Sequence, residues 1–155
     1  SSVVVRTRGL AALGLIESED AMYDPPWRVD CTMNPAGCKQ ANLWMIHGIS
    51  HGIGLAVHDP LQGDVNGGKF AEGDAFTIEP GVYISTRALD VLPDTPRNRQ
   101  FKAKVLAKVK QYENTGVRIE DDYIITEKGL ERISLVPREI DEIEALMKRR
   151  RAIQP

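Results

Sequence analysis

Apolar residues in this chain change period several times. From Val3 to Ile16, Val4, Leu10, Leu13 and Leu15 recur near helical spacing, and Gly14 stands where a helix would end. Ala21 to Ala41 carries Pro25, Pro26, Pro35 and Gly37 among polar residues and reads as an irregular connection. Between Ile46 and Ile84 the pattern becomes short apolar stretches broken by glycine. There Ile53, Leu55 and Val57 alternate, and Ala75 to Ile78 lead into Glu79-Pro80-Gly81, which predicts strands. Pro93 to Asn98 reads as a loop, and Phe101 to Tyr112 as a helix with Val105 and Val109 on one face. Gly116 to Thr126 alternates, Arg132 to Val136 is the last strand-like piece, and Arg138 to Arg151 sets Ile140, Ile143, Leu146 and Met147 on one helical face. Together these elements predict an α+β fold in which an antiparallel sheet is favoured over regular βαβ units.

Composition narrows the classes. The 155 residues are 42% hydrophobic and 27% charged, as expected of one soluble domain with enough apolar content for a core, spanning residues 1–155. Twenty basic residues against 22 acidic ones leave a formal charge of -2, so no general field draws in nucleic acid or an anionic membrane. The basic run Lys148 to Arg151 reads as a solvated helix end that complements the helix dipole. No apolar run reaches the length of a membrane span, and Ser1 to Arg8 lacks the order of a signal peptide, so the expected location is cytoplasmic. Cys31 and Cys38 fit neither a zinc knuckle nor a redox pair. A local disulfide across Asn34-Pro35-Ala36-Gly37 is one reading, and two reduced loop thiols are the one favoured in that compartment.

The chemistry concentrates in three segments. All three histidines, His47, His51 and His58, lie in one stretch. The four-residue spacing of the first two suggests the helical zinc motif, but Gly48 stands where that motif needs a glutamate, and Gly52 and Gly54 make a helix costly. On a regular strand His47 and His51 share a face and His58 lies opposite; a glycine bend would return His58 to the same side. The second segment ends a strand at Glu79, with Phe76 and Ile78 expected to face a core and Thr77 and Glu79 the other side. The third, Val117 to Asp122, sets Arg118, Glu120 and Asp122 on one face. A histidine and two glutamates on separate strands form a donor set suited to manganese, zinc, cobalt or iron. Such ions can activate water for hydrolysis.

In this order the three segments resemble the signature of the pita-bread metallopeptidases, a group that includes aminopeptidase P, prolidase, methionine aminopeptidase and creatinase. The resemblance runs from about Met45 to Ser134. It implies the second half of a pita-bread fold, a curved antiparallel sheet with flanking helices and a C-terminal helix. It also implies two divalent metal ions, manganese first, with His51 and Glu79 as ligands to one ion and Glu120 bridging both. His47 matches a histidine lining the substrate site, and His58 one that contacts substrate and assists the tetrahedral intermediate. Arg118 matches an arginine of the proline-specific members that organises the site near Glu120. Asp121 and Asp122 complete the motif without a direct catalytic role. Val117 to Asp122 resembles the proline-specific branch, while Ser50 and His58-Asp59 look more like aminopeptidase P than prolidase. The implied reaction is removal of an N-terminal residue that precedes proline, from a proline-containing peptide.

The family also carries two ligand aspartates and a histidine well upstream of the histidine segment, for which this sequence offers no counterpart; Asp20 and Asp30 have the wrong spacing and context. The isolated chain is therefore expected to be inactive, and its uncovered apolar faces to associate with a second copy or with the missing half. Prolidase is the alternative of the same chemistry. A pita-bread protein turned into a non-catalytic peptide- or protein-binding module is the alternative of another class.

Overall fold

The computed structural model describes residues 2–61 and 67–151. The chain divides into two compact units, Ser1–Ile49 with Glu79–Arg118, and Ser50–Ile78 with Ile119–Pro155. The expected α+β class with antiparallel pairing is what forms. Among the described residues, no helix is long and apolar enough to cross a membrane.

The first unit holds α1 (Ser2–Ala12), β2 (Gly81–Ile84), α2 (Thr86–Asp90), α3 (Pro96–Gln111) and β3 (Thr115–Arg118), with β2 antiparallel to β3. Its core gathers Leu10 and Leu15, Tyr23, Trp44, Ile84, and the α3 residues Phe101, Val105 and Val109. Gly14, at φ +73°, ends the turn that follows α1, as its position predicts. α3 begins earlier than the expected loop over Pro93 to Asn98 allows. Thr95 accepts a hydrogen bond from the Asn98 N–H, and Pro96 opens the helix, where its fixed φ fits and its missing N–H costs nothing. Asn98 is fully buried and holds both polar groups of the Asp24 backbone, accepting from its N–H at 2.9 Å and donating to its carbonyl at 2.8 Å. The irregular segment before Ala41 is thereby tied to the start of α3. Two short 3-10 turns, Pro35–Cys38 and Gln40–Trp44, supply its only regular structure.

Of the two readings of the cysteines the structure takes the less favoured one: Cys31 and Cys38 form a disulfide. Asn34 caps the turn at Pro35, accepting from the Gly37 N–H, and its own N–H donates to Asp30 O at 2.8 Å. This local folding brings the two Cα atoms to 5.7 Å, inside the range a disulfide bridges.

The second unit holds β1 (Ala75–Ile78), β4 (Asp121–Thr126), β5 (Gly129–Arg132) and α4 (Ile140–Arg151), with strand order β1-β4-β5, all antiparallel. Phe76 stacks between Phe70 at 4.5 Å and Tyr123 at 6.1 Å, ring centre to ring centre. Thr77, expected on the exposed face, is also buried. The stretch from Gly116 to Thr126 is two strands and not one, since pairing stops at Arg118 and resumes at Asp121. The expected strand from Arg132 to Val136 lies too far along: β4 and β5 join through a tight turn closed at Gly129, φ +111°, and the ladder ends at Arg132. Asp121 is buried beneath that end, accepting from Arg132 Nη1 at 3.2 Å, Ser134 Oγ at 3.0 Å, and Arg138 Nη1. Burial pushes its carboxyl up, but these donors and the two guanidinium charges outweigh it and hold it below the usual range.

Candidate metal site

Between Ile46 and Pro60 the expected strand does not form; Gly52 makes only isolated bridges, to Asp59 and to Phe76. The segment still runs along β1 through backbone bonds. Within the second unit the Thr77 N–H donates to His51 O at 2.9 Å and the Ile53 N–H to Ala75 O at 3.0 Å. Beyond Ile53 the chain turns back, the Gly52 N–H donating to Asp59 O at 2.8 Å and the Ala56 N–H to Asp59 Oδ1 at 3.1 Å. Gly52 is needed for this reversal because its neighbours are backbone atoms, and Gly54 leaves room for the Asp59 carboxylate. A Cβ on Gly52 would lie 2.2 Å from Pro60 O, and one on Gly54 1.9 Å from Asp59 Oδ2. Ile53, Leu55 and Val57, alternating as if in a strand, are exposed on the turn.

The reversal returns His58 to His51, with ring centres 4.7 Å apart and edge to face. His51 is held by Thr77, whose Oγ1 accepts from the His51 N–H at 3.1 Å. Its Nδ1 lies 2.9 Å from Gly52 O, an acceptor only, so the ring proton sits on Nδ1 and Nε2 carries the lone pair. That Nε2 is 3.7 Å from Glu120 Oε1. Glu120 sits in the gap between β3 and β4, where its side chain is 43% exposed and not engaged in a ladder pair.

In the first unit Glu79 follows the end of β1 and is buried, its N–H donating to Ile49 O at 2.8 Å. Arg118 Nη1 donates to Glu79 Oε2 at 3.1 Å, and His47 Nδ1 stands 3.8 Å from the same oxygen. Arg118, expected to help organise the site near Glu120, makes its side-chain contact with Glu79. His47 Nδ1 lies 2.6 Å from Gly48 O and its Nε2 2.8 Å from the Tyr83 hydroxyl, so in the neutral ring Nδ1 carries the proton and Tyr83 donates to Nε2. Gly81 leaves room for this pair, because a Cβ there would lie 2.7 Å from His47 Nε2. Thr77 and Tyr83 hold the histidines in place, yet neither stood out in the sequence. Their alternation with apolar neighbours marks a strand and says nothing of a partner.

In the second unit His51 and Glu120 thus bring a ring nitrogen and a carboxylate oxygen to 3.7 Å of one another, and in the first unit Glu79 offers a buried carboxylate. One neutral imidazole and two carboxylates suit a divalent transition ion.

Comparison with known proteins agrees with this chemistry. Residues 15–127 match the model of metallopeptidase family M24. The chain is 34% identical over 120 residues to a Xaa-Pro dipeptidase of Rattus norvegicus, covering 68% of this chain and 24% of that protein. It is 32% identical over 145 residues to a Xaa-Pro aminopeptidase of Haemophilus influenzae, covering 92% and 27%. Its fold matches that of aminopeptidase P from E. coli, solved with the inhibitor Pro-Leu, at a TM-score of 0.59 and 30% identity over 97% of this chain and 28% of that one. The chain thus spans about a quarter of the length of these relatives. A family match across most of the chain and antiparallel sheets with flanking helices as in aminopeptidase P agree with one another: the chain belongs to metallopeptidase family M24.

Proposed function

We propose that this chain is the C-terminal part of the catalytic domain of an aminopeptidase that hydrolyses the Xaa-Pro bond at peptide N-termini, with His51, Glu79 and Glu120 as metal ligands. The observation that carries the reading lies within the second unit, where His51 Nε2 stands 3.7 Å from Glu120 Oε1 in a chain of family M24. When bound, a pair of divalent ions, manganese first, would polarise the peptide carbonyl and supply hydroxide near neutral pH. The chain's own residues then have separate tasks. His51 presents Nε2 as a ligand because Gly52 O holds the proton on Nδ1. Arg118 lies against Glu79 and fixes the direction of its carboxylate. His58, beside His51, is the side chain placed to donate a hydrogen bond to an oxygen that gains charge, and His47, oriented by Tyr83, lines the substrate side.

Three ligands hold one ion; a bridged pair needs donors that these residues do not supply. The chain alone is therefore expected to bind manganese weakly and to leave Arg-Pro-Pro uncleaved. Manganese titration of the chain, followed by electron paramagnetic resonance, tests the site: Glu79→Ala or Glu120→Ala should weaken binding at least tenfold, and unchanged binding would remove the metal assignment. The complete protein should cleave Arg-Pro-Pro faster than the dipeptide Arg-Pro; the reverse preference would make it a prolidase, in keeping with its likeness to the rat dipeptidase. Exposed apolar residues on α4 support association with a second copy or with the rest of the domain. The Cys31–Cys38 disulfide speaks against the expected cytoplasmic location, because disulfides persist chiefly in oxidising compartments.

A further inference from the structure

Glu120 approaches His51 from outside the ladders, since the pairing of β3 ends at Arg118 and that of β4 begins at Asp121. Its side chain is 43% exposed, so burial does not fix where its carboxylate points. The next residue is its opposite. Asp121 is 4% exposed, and its carboxylate accepts from three side chains at and beyond the end of β5. Arg132 Nη1 at 3.2 Å and Ser134 Oγ at 3.0 Å share Oδ1, and Arg138 Nη1 takes Oδ2. The following residue is tied to the same stretch, the Asp122 N–H donating to Ser134 Oγ at 3.0 Å and the Ile133 N–H to Asp122 O at 2.9 Å. On the other edge of β4, Asp121 pairs with Ile78 of β1. All of these residues belong to the second unit.

For stability alone this is a costly way to close a strand end. Burying a carboxylate is offset only when its oxygens are well satisfied, and apolar side chains of similar volume often stabilise as much or more. What a satisfied buried ion pair supplies is fixed geometry, because a guanidinium donates in defined directions. A metal ligand draws on that property: its donor atom has to lie within about 0.2 Å of the coordination distance, and residues behind the ligands set their orientation. Asp121 is joined to Glu120 by one peptide unit, so a shift of the strand end carries Glu120 with it. In the sequence Asp121 only completes a motif, and Arg138 lies outside all three motifs.

We propose that Asp121 is a positioning residue for Glu120, and that Arg138, with Arg132 and Ser134, sets the direction in which Glu120 meets the metal by clamping the Asp121 carboxylate. The inference rests on the reading of Glu120 as a metal ligand, and the experiment separates the failure of one from the failure of the other.

Manganese is the probe, titrated against the 155-residue chain and followed by electron paramagnetic resonance, with urea unfolding of each variant as the measure of stability. Arg138→Met should weaken manganese binding about fivefold or more. Arg138→Lys, which returns a cation to Asp121 Oδ2, should recover most of that loss. In a chain that already carries Glu120→Ala, Arg138→Met should weaken binding no further, because the clamp acts through Glu120. A clamp that served stability alone would lower the urea midpoint and leave the manganese affinity of the folded chain as it was. If Arg138→Met does not fold, Ser134→Ala, which removes a single neutral donor, takes its place and should weaken binding only where Glu120 is present. Unaltered affinity in the folded variant, or equal weakening with and without Glu120, would overturn the proposal. Unaltered affinity in Glu120→Ala by itself would remove the metal reading and the proposal with it.

Discussion

Two helices of this chain carry the same apolar stripe and meet opposite fates. On α3, Phe101, Val105 and Val109 are at most 2% exposed, packed among α1, β2 and the 3-10 turns of the first unit. On α4, Ile140, Ile143, Leu146 and Met147 are between 40% and 75% exposed. The spacing of apolar residues says that a helix has a face to bury; whether another element is there to cover it is a property of the fold.

The contrast can be broken by truncating each stripe. Phe101→Ala should cost about 4 kcal/mol, since it opens a void in a closed core, read as a fall in the urea midpoint of the chain. If the loss is below about 1 kcal/mol, the first unit is not the tightly packed body its burial indicates.

A middle-sized effect sharpens the comparison through pH. Glu17, beside the α3 stripe, accepts from Lys104 Nζ at 2.6 Å and from Gln40 Nε2 at 2.7 Å. Burial alone would raise its pKa, but these bonds, a longer one from Gln100 and the charge of Lys104 outweigh burial and hold it below the usual value. In the acid range the unfolded chain therefore binds more protons than the folded one. The stability Glu17 contributes is full above the ordinary carboxylate pKa and is lost as pH falls through the depressed one. Glu17→Gln should flatten that part of the acid unfolding curve; a curve of unaltered slope would show that these bonds add nothing.

The smallest change belongs to α4. Met147→Ala should move stability by no more than about 0.5 kcal/mol in dilute solution, because little surface is withdrawn from water there. A loss near that of Phe101→Ala would mean that a second copy already covers the stripe, and sedimentation at several concentrations would reveal it.

How much of the site was legible depended on the distance between a residue and its partners. His51, Glu79 and Glu120 could be picked out because the chemistry needs those residue types and each sits in its own short motif. The return of His58 could be written only as a condition on a glycine bend. Its realisation rests on Gly52 and Gly54 fitting against Pro60 and Asp59, contacts that no periodicity encodes. That Arg118 would help organise the site was legible from its motif, but its partner Glu79, 39 residues away, was not. The start of α3 was local information passed over, since Thr95-Pro96 is a cap followed by a first-turn proline.

Residue types and local backbone preference, both written along the chain, determined the α+β class, the order of the three motifs and the candidate donors for a metal. Tertiary structure alone decided that Cys31 meets Cys38, that Thr77 and Tyr83 hold the histidines, that Arg138 meets Asp121, and that one apolar stripe is covered while the other is bare. The division has a physical cause. Side-chain chemistry and turn preferences act over a few residues, whereas burial and hydrogen-bond partners depend on which distant segments the folded chain brings within a few ångströms.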